Sequence, residues 1–170
     1  YQFRFKNKNW IINGASSENI TLKIGTPSIR KKISGSVFSL LSGGAGKHNY
    51  FHWLFDVLPR LAILENAKNV KKPDYYLVPS LKHPYQQQTL KKLNIPFSKL
   101  LNGTTIKHIS SNKLFISDHP YVFNNDPSKS ILHIPDWIIS WLKVKFKTIK
   151  HSKKKYSKKI FIDRADSSFS

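Results

Sequence analysis

A short apolar run followed by glycines and an amphipathic stretch constrains this chain more than any other feature. Residues 36–42, SVFSLLS, have the compact apolar character of a buried strand. The glycines at positions 43, 44 and 46 predict a flexible turn. Apolar residues then recur at helical spacing over residues 49–67, which predicts a helix that Pro59 kinks or splits after Leu58. Strand, turn and helix in this order are one unit of an α/β fold.

The same alternation continues along the chain. Further strands are predicted at residues 3–12, 20–25, 73–79, 104–110, 113–117 and 159–163. Helices are predicted at residues 83–95 and 134–150, each with a proline at its start. Strands that alternate with helices favour an α/β fold whose sheet is largely parallel.

The charge balance is strongly basic. Lysine and arginine number 29 against 9 aspartates and glutamates, so the formal net charge is +20. Such a field attracts polyanions, and a basic α/β module that binds polyanions without catalysis is one hypothesis for the chain. The basic residues are nearly all lysines spread along the sequence, and no nucleic-acid module is recognisable, so no specific nucleic-acid partner is expected. The lysine cluster at 153–159 is interpreted as a hinge, with contact to an anionic membrane as the alternative.

The glycine turn looks like a phosphate-binding loop but lacks its chemistry. Gly46 and Lys47 supply the G-K of a Walker motif, yet Leu41 stands where the first glycine is needed and His48 replaces the hydroxyl. The dinucleotide fingerprint fails as well, because Asn49 takes the place of its third glycine. No D-x-D and no cysteine occurs, so neither a metal site nor a cofactor is predicted.

A polar stripe runs along the predicted helix. Its members Asn49, His52, Asp56 and Arg60 are spaced by three, four and four residues, which places them on one helical face. At this spacing His52 and Asp56 touch, and a carboxylate beside an imidazole prepares a base or an anion-binding group. Arg60 has the geometry to bind a phosphate or carboxylate bidentately. A hydrogen-bonded structural face has the same spacing, so the pattern alone leaves both interpretations open.

These residues also carry a resemblance to a known family. Residues 36–64 resemble the N-terminal signature of glycosyltransferase family 61, in which a glycine-rich turn leads into N-Y-x-H-W-x-x-D-x-L-P-R-L. The match is made by Asn49, Tyr50, His52, Trp53, Asp56, Leu58, Pro59, Arg60 and Leu61. Residues 74–96, 135–146 and 158–167 look like later parts of the same pattern, with Arg164 as the arginine of a Y-I-S-R segment.

The resemblance implies the N-terminal half of an inverting two-domain transferase of GT-B type. Residues 1–35 would form lead-in strands, residues 36–150 a Rossmann-like domain on the acceptor side, and residues 151–170 a basic linker with the start of a truncated donor domain. The implied partners are a nucleotide-sugar donor and a glycan acceptor, with no cofactor and no metal. The expected setting is surface-polysaccharide synthesis in the cytoplasm, with membrane association as an option.

The resemblance also implies roles for individual residues. His52, oriented by Asp56, is the candidate base or acceptor-positioning group, and a structural role for His52 is the alternative. Asn49, Arg60 and Arg164 are the candidate substrate-binding residues, with Arg164 reaching toward the phosphates. The chain begins at Tyr1, contains no methionine and lacks the H-G-A-G-x-[TS]-N donor motif, so a fragment that is inactive by itself is expected.

Overall fold

A four-stranded parallel sheet organises the part of the chain that the structure describes. The computed structural model describes residues 4–5, 8–9, 30–42, 45–106, 108–124, 130 and 132–147. Two strands of two residues each, β1 (Arg4–Phe5) and β2 (Lys8–Asn9), come first and pair antiparallel. The sheet consists of β3 (Lys31–Ser39), β4 (Tyr75–Val78), β5 (Leu100–Asn102) and β6 (Ile109–Ile116), in the spatial order β5-β4-β3-β6. All neighbouring strands of this sheet are parallel, as the sequence predicts.

The helices connect these strands or follow the last of them. They are α1 (Tyr50–His52), α2 (Pro59–Asn66), α3 (Pro84–Lys92) and α4 (Asp136–Phe146), with short 3₁₀ turns at Ala45–Lys47 and Phe97–Lys99. A π-helical turn, Trp53–Val57, joins α1 to α2, and we call residues 50–66 the composite helix. Within the described residues, no helix is both long and apolar enough to cross a bilayer.

Pro59 sets the form of the composite helix. Proline has no backbone N–H and cannot continue the regular hydrogen-bond ladder. The chain widens before it, where the Leu58 N–H donates to the Trp53 carbonyl at 3.0 Å, five residues back. α2 then starts with Pro59 in its first position, where a missing N–H costs little. The predicted split after Leu58 is therefore confirmed.

The core lies mainly on one side of the sheet. Residues of a strand point alternately to the two faces, and Phe38, Tyr76 and Val78 share one of them. The composite helix, α3 and α4 all pack on this face, with Trp53, Leu58 and Leu90 fully buried there. The opposite face carries a smaller cluster of Ile33, Val37, Leu77 and Leu101, against which Ile106 of the β5–β6 connection packs. The described residues thus form an α/β fold with a parallel sheet.

The order of the strands creates a switch point. β3 is the first strand of this sheet, and the chain adds β4 and β5 on one side of it before it crosses to place β6 on the other. β3 and β6 are therefore the two neighbouring strands at which the order of strand addition reverses. In open parallel sheets, the crevice at the carboxyl ends of two such strands is where ligands bind.

Several predicted boundaries need correction. The strand predicted at 36–42 is β3, which begins at Lys31 and so crosses the domain boundary placed after residue 35. The two strands predicted at 104–110 and 113–117 are one strand, β6, preceded by a turn at residues 103–105. β5 was not predicted, and the helix predicted at 134–150 is α4, which is shorter. The predicted strands at 20–25 and 159–163, the linker at 151–170 and Arg164 lie outside the described residues.

Candidate functional site

The polar stripe lies at the switch point of the sheet. The composite helix follows β3, and its first two turns carry His52 and Asp56. The loop after β6, residues 117–124, carries Tyr121 and His119 to the same place. The site is therefore built from the two chain segments that leave the carboxyl ends of β3 and β6, which is the location expected for a ligand in this topology.

His52 and Asp56 form a directly bonded pair. His52 Nδ1 lies 2.7 Å from Asp56 Oδ2, and the predicted contact between them is confirmed. A carboxylate only accepts hydrogen bonds, so Nδ1 of His52 carries the proton and donates a hydrogen bond to Asp56. The other ring nitrogen, Nε2, points away from the carboxylate. The Asp56 side chain is 9% exposed and that of His52 is 24% exposed. The carboxylate is thus a buried orienting group, and the imidazole is the member of the pair that a substrate can reach.

Tyr121 completes the set of bonds to the carboxylate. Its hydroxyl donates to Asp56 Oδ1 at 2.6 Å, so each carboxylate oxygen accepts one short hydrogen bond. Burial raises the pKa of Tyr121 above its ordinary value, and its hydrogen bond to Asp56 and the negative charge of Asp56 raise it further. The tyrosine therefore stays a neutral donor at physiological pH, and it fixes the position of Asp56 from the β6 side of the site.

A second imidazole stands beside the same carboxylate. His119 Nδ1 donates to the Tyr121 carbonyl oxygen at 2.6 Å, and its Nε2 lies 4.0 Å from Asp56 Oδ1. The His119 side chain is 38% exposed, and its ring packs edge-on against Tyr121. Two accessible imidazoles thus flank one buried carboxylate.

Asn49 and Arg60, the other members of the stripe, form hydrogen bonds to nearby backbone groups. The Asn49 side chain is the N-cap of α1, since its Oδ1 accepts the backbone N–H groups of Phe51 at 2.9 Å and His52 at 3.4 Å. Arg60 is 6% exposed. Its Nε donates to the Asp56 carbonyl and its Nη1 to the Ser117 carbonyl, both at 3.0 Å. These bonds join the composite helix to the loop after β6, and substrate binding by Asn49 and Arg60 stays a prediction.

Gly46 packs closely under the composite helix. A Cβ atom at Gly46 would lie 2.7 Å from both Ser42 Oγ and a methyl group of Val57, closer than side-chain carbons come. Gly46 is therefore explained by the close approach of turn and helix. Gly43 and Gly44 lie outside the described residues.

A separate basic cluster lies on the β4 side of the turn. His48 Nδ1 is 3.3 Å from His83 Nε2, and Lys47 and Lys82 adjoin the two histidines in sequence. Desolvation lowers the pKa of the exposed His48, and the charges of Lys47, His83 and Lys82 lower it further. His48 is four residues from His52, but it precedes the cap of α1 and pairs with His83 instead. Within the described ranges, no group of three or more histidine, cysteine, aspartate or glutamate side chains is arranged to hold a metal.

Sequence reasoning missed Tyr121 and His119. Residues 117–123, SDHPYVF, follow a strand and carry several polar side chains, which is the signal that marks strand-end loops as candidates. The partner of this loop could not be named from the sequence, because Tyr121 is 65 residues from Asp56 and the contact depends on the strand order. Arg164, the remaining predicted site residue, lies outside the described part of the chain.

Comparison with protein-family models, with curated proteins and with solved structures finds no match to this chain. A function is therefore inferred from the geometry of the site and from the sequence motif.

Replacing Tyr121 by phenylalanine is expected to lower the free energy of unfolding by about 1.5–3 kcal/mol at neutral pH. A buried hydrogen bond to a charged group contributes about that much. The folded state holds the tyrosine proton more tightly than the unfolded state, so this contribution is complete below pH 10.0, the ordinary pKa, and is lost as pH rises above it. The wild-type protein should accordingly lose stability more steeply above pH 10.0 than the variant does.

Urea unfolding at neutral and alkaline pH measures both effects. Tyr50→Phe is the matched control, because Tyr50 is 52% exposed and its hydroxyl makes no bond to Asp56. Equal stability of wild type and Tyr121→Phe at neutral pH would contradict a structural role for the bond to Asp56.

Proposed function

We propose that the chain supplies the acceptor side of an inverting glycosyltransferase of GT-B type that resembles family 61. The observation that carries the proposal is the bonded pair of His52 and Asp56 at the switch point, with the carboxylate buried and the imidazole accessible. This arrangement suits a histidine general base, because one ring nitrogen is fixed while the other can accept the proton of a reacting hydroxyl. The sequence resemblance to the family motif includes the same two residues.

The proposed step is a single displacement at the anomeric carbon of a nucleotide sugar. The acceptor hydroxyl oxygen attacks that carbon and forms the new glycosidic bond, while the bond from the carbon to the nucleotide diphosphate breaks. His52 Nε2 takes the hydroxyl proton, and its Nδ1 proton stays hydrogen-bonded to Asp56. The diphosphate leaves with the bonding electrons and needs positive charge or N–H donors nearby, for which Arg164 is the candidate in this sequence.

The proposal assigns only part of the reaction to these residues. The H-G-A-G-x-[TS]-N motif that the resemblance associates with the donor sugar does not occur among the 170 residues. The acceptor is proposed to be a glycan of a surface polysaccharide, built on the cytoplasmic side of the membrane. The 170 residues alone are expected to transfer no sugar.

Sugar transfer by the full-length gene product tests the proposal. Purified protein is incubated with a panel of nucleotide sugars and a glycan acceptor library, and released nucleotide and glycosylated product are both measured. Product with inverted anomeric configuration supports the proposal. Rapid transfer by the 170 residues alone would contradict the division into acceptor and donor sides.

The net charge of +20 favours one competing function, a basic module that binds polyanions without catalysis. Binding of that kind weakens steeply with salt, because each neutralised phosphate releases counterions. A steep salt dependence of polyanion binding, together with no transfer from any donor, would decide for the binding module.

A further inference from the structure

One face of α4 leaves large apolar side chains in solvent. Trp137 and Val144 are seven residues apart, so they lie on the same side of the helix, two turns from each other. Trp137 is 40% exposed and Val144 is 76% exposed. Lys143 and Lys147 flank this stripe on one side, and we call these four residues the α4 face. An exposed tryptophan, an exposed aliphatic residue and two lysines, carried by one short helix and the residue after it, are typical of an interfacial surface.

An apolar groove adjoins the α4 face. It has a volume of about 680 Å³, and its walls include Tyr50 and Leu54 of the composite helix and Leu142 and Phe146 of α4. Lys143 and Lys147 line the same groove, so the two lysines stand between it and the exposed stripe. The flexible stems of lysines can lie along apolar surface while their ammonium groups reach a charged layer.

The lysines of the α4 face are not used to hold the helix in place. Lys145 performs that task on another side of α4, where its Nζ lies 3.0 Å from Glu65 Oε1 and the Trp141 indole donates to Glu65 Oε2. For Lys143 and Lys147, no carboxylate within ion-pair distance is found in the part of the chain that the structure describes. Their charges add to a chain of net charge +20 and face outward beside apolar surface.

We propose that the α4 face docks on an anionic lipid bilayer. Lys143 and Lys147 contact headgroup phosphates, Trp137 and Val144 enter the interfacial layer, and the groove accepts an acyl chain. Charge complementarity favours this partner, because an anionic bilayer offers negative charge and apolar material side by side. Tyr50 of the groove is two residues from His52, so docking places the candidate site next to the membrane surface.

Sedimentation with lipid vesicles tests this inference. Full-length protein is mixed with vesicles of phosphatidylcholine alone or with phosphatidylglycerol added, and the bound fraction gives a partition coefficient. Binding is expected only where phosphatidylglycerol is present. Lys143→Gln with Lys147→Gln should weaken it on the order of twentyfold, since each lysine near an anionic surface contributes about fivefold. Val144→Ser should weaken it further.

Matched variants separate this face from general charge attraction. Lys71→Gln with Lys72→Gln removes the same charge from exposed lysines before β4, and Val70→Ser makes the same exchange at an exposed valine. Both controls should leave binding within about twofold of wild type. Equal losses in controls and test variants, no binding to anionic vesicles, or α4-face variants that only dissociate a dimer in size-exclusion chromatography would each overturn the proposal. Circular dichroism confirms that every variant folds.

Discussion

In the proposed glycosyltransferase, replacing Asp56 by asparagine is expected to reduce sugar transfer by about two to four orders of magnitude, the range that a well-placed general base contributes. The asparagine keeps the size of the side chain but offers one acceptor oxygen where Asp56 accepts from both His52 and Tyr121. His52 then loses the anionic partner that holds its ring and balances the proton it takes up. The loss should fall on kcat, because the carboxylate is buried and is proposed to act through His52.

His52→Ala should reduce transfer by a similar factor, because His52 and Asp56 act together. The losses from changing residues that act together are not additive. The double variant is therefore expected to be little worse than either single variant. Transfer rates are measured with saturating donor, and thermal unfolding confirms that each protein is folded.

Two substitutions serve as matched controls. Asp74→Asn exchanges the same atoms at the start of β4, where the carboxylate accepts the Ser36 backbone N–H and hydroxyl, both at 2.7 Å. His108→Ala removes an imidazole just before β6, at the amino end of that strand. Neither residue belongs to the site, so transfer should persist in both. Undiminished transfer by Asp56→Asn and His52→Ala would make the composite helix a structural element and move the chemistry elsewhere.

The sequence predicted those parts of the fold that depend on local periodicity. The composite helix at 50–66 agrees with the predicted 49–67, and β4 lies inside the predicted 73–79. The sequence did not predict β5, because Leu100–Asn102 is too short to show an alternation of apolar and polar residues. β6 was divided in two because Ser110, Ser111 and Asn112 interrupt its apolar pattern, which a strand at the edge of the sheet tolerates.

The candidate site likewise contains one contact that local periodicity predicts and others that it does not. His52 and Asp56 meet because they are four residues apart on a helix, and the helical period alone determines such a contact. Tyr121 and His119 join them only because β6 crosses to the free side of β3. A strand order of this kind is a property of the whole chain, set by packing on both faces of the sheet, and no local pattern contains it.

Replacing Arg60 by methionine is expected to lower the free energy of unfolding by about 3 kcal/mol. The side chain is 6% exposed, and its bonds to the carbonyls of Asp56 and Ser117 connect the composite helix to the loop that carries Tyr121. Buried hydrogen bonds from a charged donor contribute about 1.5–3 kcal/mol each, and methionine recovers part of this through its apolar contacts. Arg60→Lys keeps the charge but not the planar fork, so its loss should be intermediate.

Urea unfolding gives these free energies, and Arg30→Met is the matched control because Arg30 is exposed. The same variants decide between the two roles of Arg60. If Arg60 bound the substrate, Arg60→Lys would raise the KM for the acceptor while stability stayed near that of wild type. The observed hydrogen bonds favour a structural role instead. In that case the Arg60 variants lose stability, and transfer declines because Asp56 and the loop after β6 are no longer held together. A stable Arg60→Met protein would show that the framework of the site does not depend on this side chain.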